Sequence, residues 1–211
     1  MTAAVQWPAS VRYQDATNVA PGGLGFVQDL LNTASQGKPR QPDLLEAVAT
    51  AQEWLDLSLA VVNGIDPDCA PEPKTVTLDA RGLRSLRSLR DRIRTALTAT
   101  TAEDGPASVA LPPVETTAAV RLDSDGARLR PRGKGVELVR SYALIQLTAA
   151  SYADTMRRLK VCANPRCRGA FYDRSKNCSR IWHDVATCGN AQNVRVYRAR
   201  LKARAVAPSS D

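Results

Sequence analysis

Apolar positions recur at helical spacing over much of the chain. The first 22 residues are an exception. They carry Pro8, Pro21 and Gly22 with little periodicity, which predicts an irregular segment or a short edge strand. GFVQDLLNTAS, from Gly25, reads as a short helix with Phe26, Leu30 and Leu31 inward. After a break at QGKPRQP, Asp43 and Glu46 have the spacing of a capping box. Leu44, Leu45, Val48, Ala51, Leu55 and Leu59 then predict a second helix to about Val62. Asn63–Pro73 reads as a loop, and Asp79 as the cap of a third helix with Leu83, Leu86, Ile93 and Leu97 on one face. That helix carries Arg81, Arg84, Arg87, Arg90 and Arg94, a stripe expected to be solvated, with a phosphate or acidic-ligand surface as its second reading.

Thr98–Pro113, rich in Thr, Ala, Gly and Pro, reads as a linker. The alternation on both sides of Asp125-Gly126 predicts a β-hairpin. Val136–Leu159 predicts one long helix, with Leu138, Tyr142, Ile145, Ala149, Tyr152, Met156 and Leu159 near one stripe. In the body, Asp29 and Asn32 are expected to be partly buried polar groups, Trp54 a core residue, and Cys69 a surface or semi-buried thiol.

Charge separates the tail from this body. From Arg157 to Arg204 there are 13 Lys/Arg against Asp173 and Asp184; the remainder holds 16 basic and 19 acidic residues. Four of the five Cys share the basic segment. No apolar run reaches membrane-helix length and no signal-peptide pattern opens the chain, so the expected setting is cytoplasmic and reducing, with thiols free or metal-bound.

Within VCANPRCRGAFYDRSKNCSRIWHDVATCGN, Cys162 and Cys167 are separated by four residues, as are His183 and Cys188, with 15 residues between the pairs. Two ligand pairs so spaced are the arithmetic of a closed, structural zinc site. His183 is the sole His of the chain. Cys178 is the alternative fourth ligand, and unrelated cysteines without a metal are the structural alternative. Metal binding is expected to supply most of the folding energy of so short and polar a segment. Phe171, Tyr172 and Trp182 are expected to form its small core, and Asp173 and Arg174 a local pair. The segment after Cys188 predicts a helix docked by Val194, Tyr197 and Leu201. Arg195, Arg198, Arg200, Lys202 and Arg204 on its flanks would suit the phosphates of duplex DNA. No GxSxG, P-loop, GxGxxG or HExxH motif points to an enzyme.

CANPRC, then FYDRS, the Trp182 region, and CGN with a basic helix resemble the CGNR zinc finger, a treble-clef module of bacterial proteins. In that family the finger follows an α-helical, ligand-binding-like domain called ABATE. Here DLLNT at Asp29–Thr33 and EWL at Glu53–Leu55 resemble ABATE segments in matching order. The resemblance implies a mainly α fold: an ABATE-like helical domain over 1–156, with linker and small β-hairpin at 99–135, then a finger over 157–205 and a disordered tail at 206–211. It also implies a transcription regulator with one structural zinc, duplex DNA as partner, and a small effector in the helical domain. No heptad seam specifies a homodimer. Two departures stand out: His183 where the family has Cys after the Trp, and Ala191 where the signature Arg follows CGN. A zinc-braced protein- or RNA-interaction module is the alternative, and an enzyme with a pocket in the helical domain is the third class.

Overall fold

The computed structural model describes residues 6–13, 18–34, 41–72, 75–99, 113–124 and 126–206. The inferred linker lies almost wholly outside them, as do residues 207–211 of the inferred tail. Of the described elements, α1 spans Leu24–Asn32, α2 Val48–Ile65, α3 Ala80–Ala99, α4 Val136–Tyr152 and α5 Asn190–Val206. Strands β1 (Ala118–Asp123) and β2 (Gly126–Pro131) form one hairpin, β3 (Leu159–Val161) and β4 (Ala170–Tyr172) another. Among the described residues no helix is long and apolar enough to cross a membrane.

The short helix α1 is the centre of the body. All nine of its residues are buried, not one face alone, because α2, α3 and α4 each pack against it and β4 closes a further side. The N-terminal segment, read as irregular or strand, forms a 3-10 turn at Ser10–Tyr13 and seats Trp7 in the core. Trp7 lies so close that a Cβ on Gly25 would fall 2.6 Å from its ring.

A helix buried on every side cannot leave its terminal carbonyls to water, and guanidinium groups take them instead. Arg94 donates to the Leu31 carbonyl, Arg12 to that of Thr33, and Arg90 to the Thr33 hydroxyl and the Asp43 carboxylate. Arg87 donates to the carbonyls of Leu45 and Glu46. The arginine stripe of α3 is therefore not a solvated face: Arg90 and Arg94 are buried, and Arg81 and Arg84 remain exposed. Asp79 does cap α3, accepting from the Gly82 amide. Asp43 acts one turn before α2, accepting from Leu45 and pairing with Arg90; the α2 entrance is closed by Thr50, which accepts from the Ala47 amide.

The expected β1–β2 hairpin forms, but Gly126, read as part of the turn, is the first residue of β2 and pairs with Asp123. Gly126 has φ +108°, a conformation open to glycine. Ser141 ties the hairpin to α4, accepting from Arg132 and donating to Thr117. Helix α4 ends at Tyr152, seven residues before the expected Leu159. Asp154, at φ +52°, turns left-handed, and the Thr155 amide reaches back to the Ala150 carbonyl, closing a Schellman motif. Its buried side is also not the expected stripe. Val139, Tyr142, Ala143, Ile145, Leu147 and Ala150 face inward, whereas Tyr152 is 88% exposed.

Candidate metal centre and basic helix

Alternation in the β3–β4 hairpin gives the tail segment two working faces. Leu159 pairs with Tyr172 and Val161 with Ala170; these four side chains belong to the main core. Phe171, opposite Lys160, turns the other way and packs with Cys162, Cys167, Cys188 and Trp182. Tyr172, expected in the small core, thus sits in the large one. Apolar burial of the hairpin is shared with the body, so β3 and β4 have a source of order besides the metal.

The hairpin's outer loop is the first ligand loop. Asn164 organises it, its carbonyl accepting from the Cys167 and Arg168 amides and its side chain from Arg166. The Gly169 amide points to Cys167 Sγ at 3.4 Å. The second loop is tied to the first by the Ala163 amide, which donates to the Ile181 carbonyl. Asp184 accepts from Ala186 and Thr187 and starts the wide turn Val185–Gly189 that delivers Cys188. Gly189 passes close to Trp182 and leads into α5.

The result brings Cys162, Cys167, His183 and Cys188 together, their ligand atoms all within 4.8 Å of one another. His183 Nδ1 lies 3.4 Å from Cys167 Sγ. Cys178 is outside this cluster; it is half-buried, its thiol directed to the Arg157 carbonyl. The hydrogen bond from Cys167 holds the Cys162 thiol well below its ordinary value, whereas that bond and burial push Cys167 up, and burial pushes Cys188 up. Three thiolates at this spacing ionise together only when a cation neutralises them. Three sulfurs and one imidazole in a closed, buried set are the donors that tetrahedral zinc takes. Among the described residues the cluster has these four donors, and it fits one structural zinc ion.

Buried polar contacts lock this centre to the body. Asn32 accepts from the Ala170 amide and donates to its carbonyl; Gln28 donates to the same carbonyl and accepts from Ala20. Arg94 bridges the Leu31 and Arg168 carbonyls. Asn18 donates to the His183 carbonyl and accepts from Arg180. Asp29, expected to be partly buried, is wholly so. It accepts from the Ala9 and Ser10 amides, Trp54 Nε1 and the Ser58 hydroxyl. Burial pushes its carboxyl above the ordinary value, with the Trp54, Ser10 and Ser58 hydrogen bonds pulling against it. These four donors are a structural use of Asp29, and Asn32 is likewise spent on β4.

Asp173 and Arg174 do not pair with each other. Asp173 is fully buried and bonded to Lys160 Nζ at 2.8 Å. Burial alone would raise its carboxyl, but hydrogen bonds from Lys160, Ser175 and Arg180 outweigh this and hold it well below the carboxylate range. Arg174 instead donates to the Val19 carbonyl and lies over the Tyr172 ring. Cys69 is half-buried, directed to the Leu129 carbonyl.

Helix α5 departs most from expectation. It packs at its start on the turn 185–189, and Arg195 donates to Asn164 Oδ1 and Gln192 Oε1. Beyond that its apolar positions are not docked: Val194, Tyr197 and Leu201 are 46%, 63% and 47% exposed. The helix leaves the finger before its stripe can meet a partner surface. Arg198 and Arg200 are exposed, and the side chains of Lys202 and Arg204 lie outside the described residues. Sequence spacing did not single out Gln28 and read Arg94 only as part of a solvated stripe, since both work through contacts distant in the chain.

None of the curated proteins compared matches the chain. Two family models do. The CGNR zinc finger matches residues 158–201, which hold all four clustered ligands and most of α5. ABATE, described as "Putative stress-induced transcription regulator", matches residues 25–158, from α1 to the start of β3. The second match covers more than half of the chain, and with the Cys3His centre behind it the protein belongs to the ABATE family of zinc-finger regulators.

Proposed function

We propose that the protein is a DNA-binding transcription regulator in which residues 157–205 form the DNA-facing finger and residues 1–156 the body that holds it. Cys162, Cys167, His183 and Cys188 ligate the zinc, and α5 enters the groove. The observation that carries this reading is α5 itself. It holds five Lys/Arg and no acidic residue, it is exposed beyond its first turns, and its base is braced on the ligand loop through Arg195. A 17-residue helix is about 25 Å long, and one helix fits the major groove. Arg198, Arg200, Lys202 and Arg204 then contact phosphates, which position the protein without reading sequence. Arg195 lies one helical turn beyond Ala191 on the same side and completes the brace. Effector sensing belongs in this reading to the body.

The test is duplex binding by the zinc-loaded protein at several salt concentrations, beside Arg198→Ala/Arg200→Ala. We expect weaker binding in the variant and a log–log salt slope shallower by about one to two, since each phosphate contact accounts for about 0.9. Salt-independent or absent binding would overturn the assignment. A second reading is favoured by the exposed Val194, Tyr197 and Leu201: α5 as a protein-contact helix, in a second copy or another chain. Salt-insensitive association lost in Tyr197→Ser would support that reading instead.

A further inference from the structure

A cavity of about 190 Å³ lies between the end of α3, β3 and the two ligand loops. Its walls carry Lys160, Arg168 and Arg180 beside the apolar Val161, Pro165 and Ile181, and no acidic side chain lines it. The three cations are not equivalent. Lys160 is committed to Asp173. Arg180 donates to Asn18 and to the His183 carbonyl, both neutral. Arg168 has no carboxylate partner among the described residues, and its Nε is buried without any hydrogen-bond partner. A buried guanidinium N–H left unpaired is costly, so the protein around Arg168 does not by itself account for the placement of this side chain.

The backbone adds a second observation. Arg168 has φ +49°, imposed by the loop that Asn164 closes. Glycine or asparagine adopts that conformation at less cost, so the bend does not require a guanidinium there. Strain kept at a charged residue facing a cavity is the pattern of a ligand site. Ile181, 55% exposed at the lip, is an apolar surface without a partner in the body.

We infer that this cavity binds a small organic anion, a carboxylate or phosphate ester bearing one apolar group. Its oxygens would meet Arg168 and Arg180 and its apolar part Ile181, Val161 and Pro165. The arrangement favours a small molecule over a DNA backbone phosphate, because half of the lining is apolar and the site is a recess. Arg94 links the Arg168 carbonyl to the end of α1, so an occupant would bridge finger and body. Binding at the cavity does not depend on α5 contacting DNA.

The experiment is calorimetric titration of the zinc-loaded, full-length protein with phenyl phosphate, benzoate and inorganic phosphate. Arg168→Asn and Ile181→Glu are titrated in parallel, with zinc content and melting temperature measured for each. Saturable binding of an aryl anion is expected, tighter than that of inorganic phosphate. Arg168→Asn is expected to weaken it about tenfold or more, as loss of a charge-assisted hydrogen bond does, while keeping zinc and melting no lower than the parent. Ile181→Glu, at an exposed position on the lip, is expected to abolish it by repulsion, its zinc content showing that the metal centre is kept. No saturable binding, or binding unchanged in both zinc-loaded variants, overturns the inference. Equal binding of inorganic phosphate, displaced by duplex DNA, also overturns it in favour of a backbone-phosphate pocket.

Discussion

Asp29 and Asp173 are both buried carboxylates, yet they respond to acid in opposite directions. Asp173 is held below the carboxylate range in the folded protein, so it contributes stability that is complete above the unfolded value of about 3.9 and is lost as pH falls below it. Asp29 is raised by burial, so folding favours its proton and its contribution grows less favourable as pH rises through the unfolded value. The zinc thiolates protonate in acid as well, so the useful quantity is the stability difference between the parent and Asp173→Asn at each pH. That difference is expected to be largest near neutrality and to shrink below about pH 4, read from urea midpoints. Asp29→Asn is a separate test. An amide NH2 in place of either oxygen meets at least one N–H donor, Trp54 Nε1 on one side or the Ala9 and Ser10 amides on the other. The expected loss is about 1–3 kcal/mol despite near-identical shape, measured by chemical denaturation. Asp29 and Asn32 could be singled out in the sequence as polar residues inside an apolar run. Their partners could not, because those are Ala9, Trp54 and Ala170, far away in the chain.

At the scale of elements, two pieces behave differently from their periodicity. Helix α3 shows the expected apolar face, but its arginines serve as caps for α1 and as clamps on the finger. Arg94→Met removes donors from the Leu31 and Arg168 carbonyls together. It is expected to destabilise by about 1.5–3 kcal/mol and to raise amide exchange in β3 and β4 more than in α2. Thermal unfolding and hydrogen exchange would check both. Helix α4 stops early because Asp154 takes a left-handed turn that sequence rules assign to Gly or Asn. The zinc loops, by contrast, were legible almost residue for residue. Their spacing named the same four side chains that the fold gathers, since two short loops each place a ligand pair locally. Metal analysis after dialysis against a weak chelator is expected to find one zinc per chain in the parent and in Cys178→Ser, and a large loss in Cys188→Ser.

For the whole molecule, the decisive feature is that finger and body share a core. Leu159, Val161, Ala170 and Tyr172 pack with α1 and α3 residues in one cluster. Stripping zinc is therefore expected to leave α1–α4, β3 and β4 protected while residues 178–206 lose protection, as hydrogen exchange with and without chelator would show. Loss of protection throughout the chain would mean that the metal supports the body too. Gln28, Asn32 and Arg94 connect α1 and α3 directly to the hairpin under the zinc loops, which in the proposed function is the route from body to DNA.

The order of residues alone determined the helices with apolar stripes, the hairpin at Gly126, the Cys3His centre and the basic terminal helix. Each of these depends on interactions within a few residues or on side-chain chemistry that no neighbour alters. Tertiary structure decided which charges are buried, where α4 ends, that Tyr172 joins the large core, and that Val194, Tyr197 and Leu201 stay exposed. Those outcomes depend on what packs opposite. A guanidinium on a helix surface is solvated or committed according to whether a carbonyl end is brought against it, and periodicity along one helix carries no information about that approach.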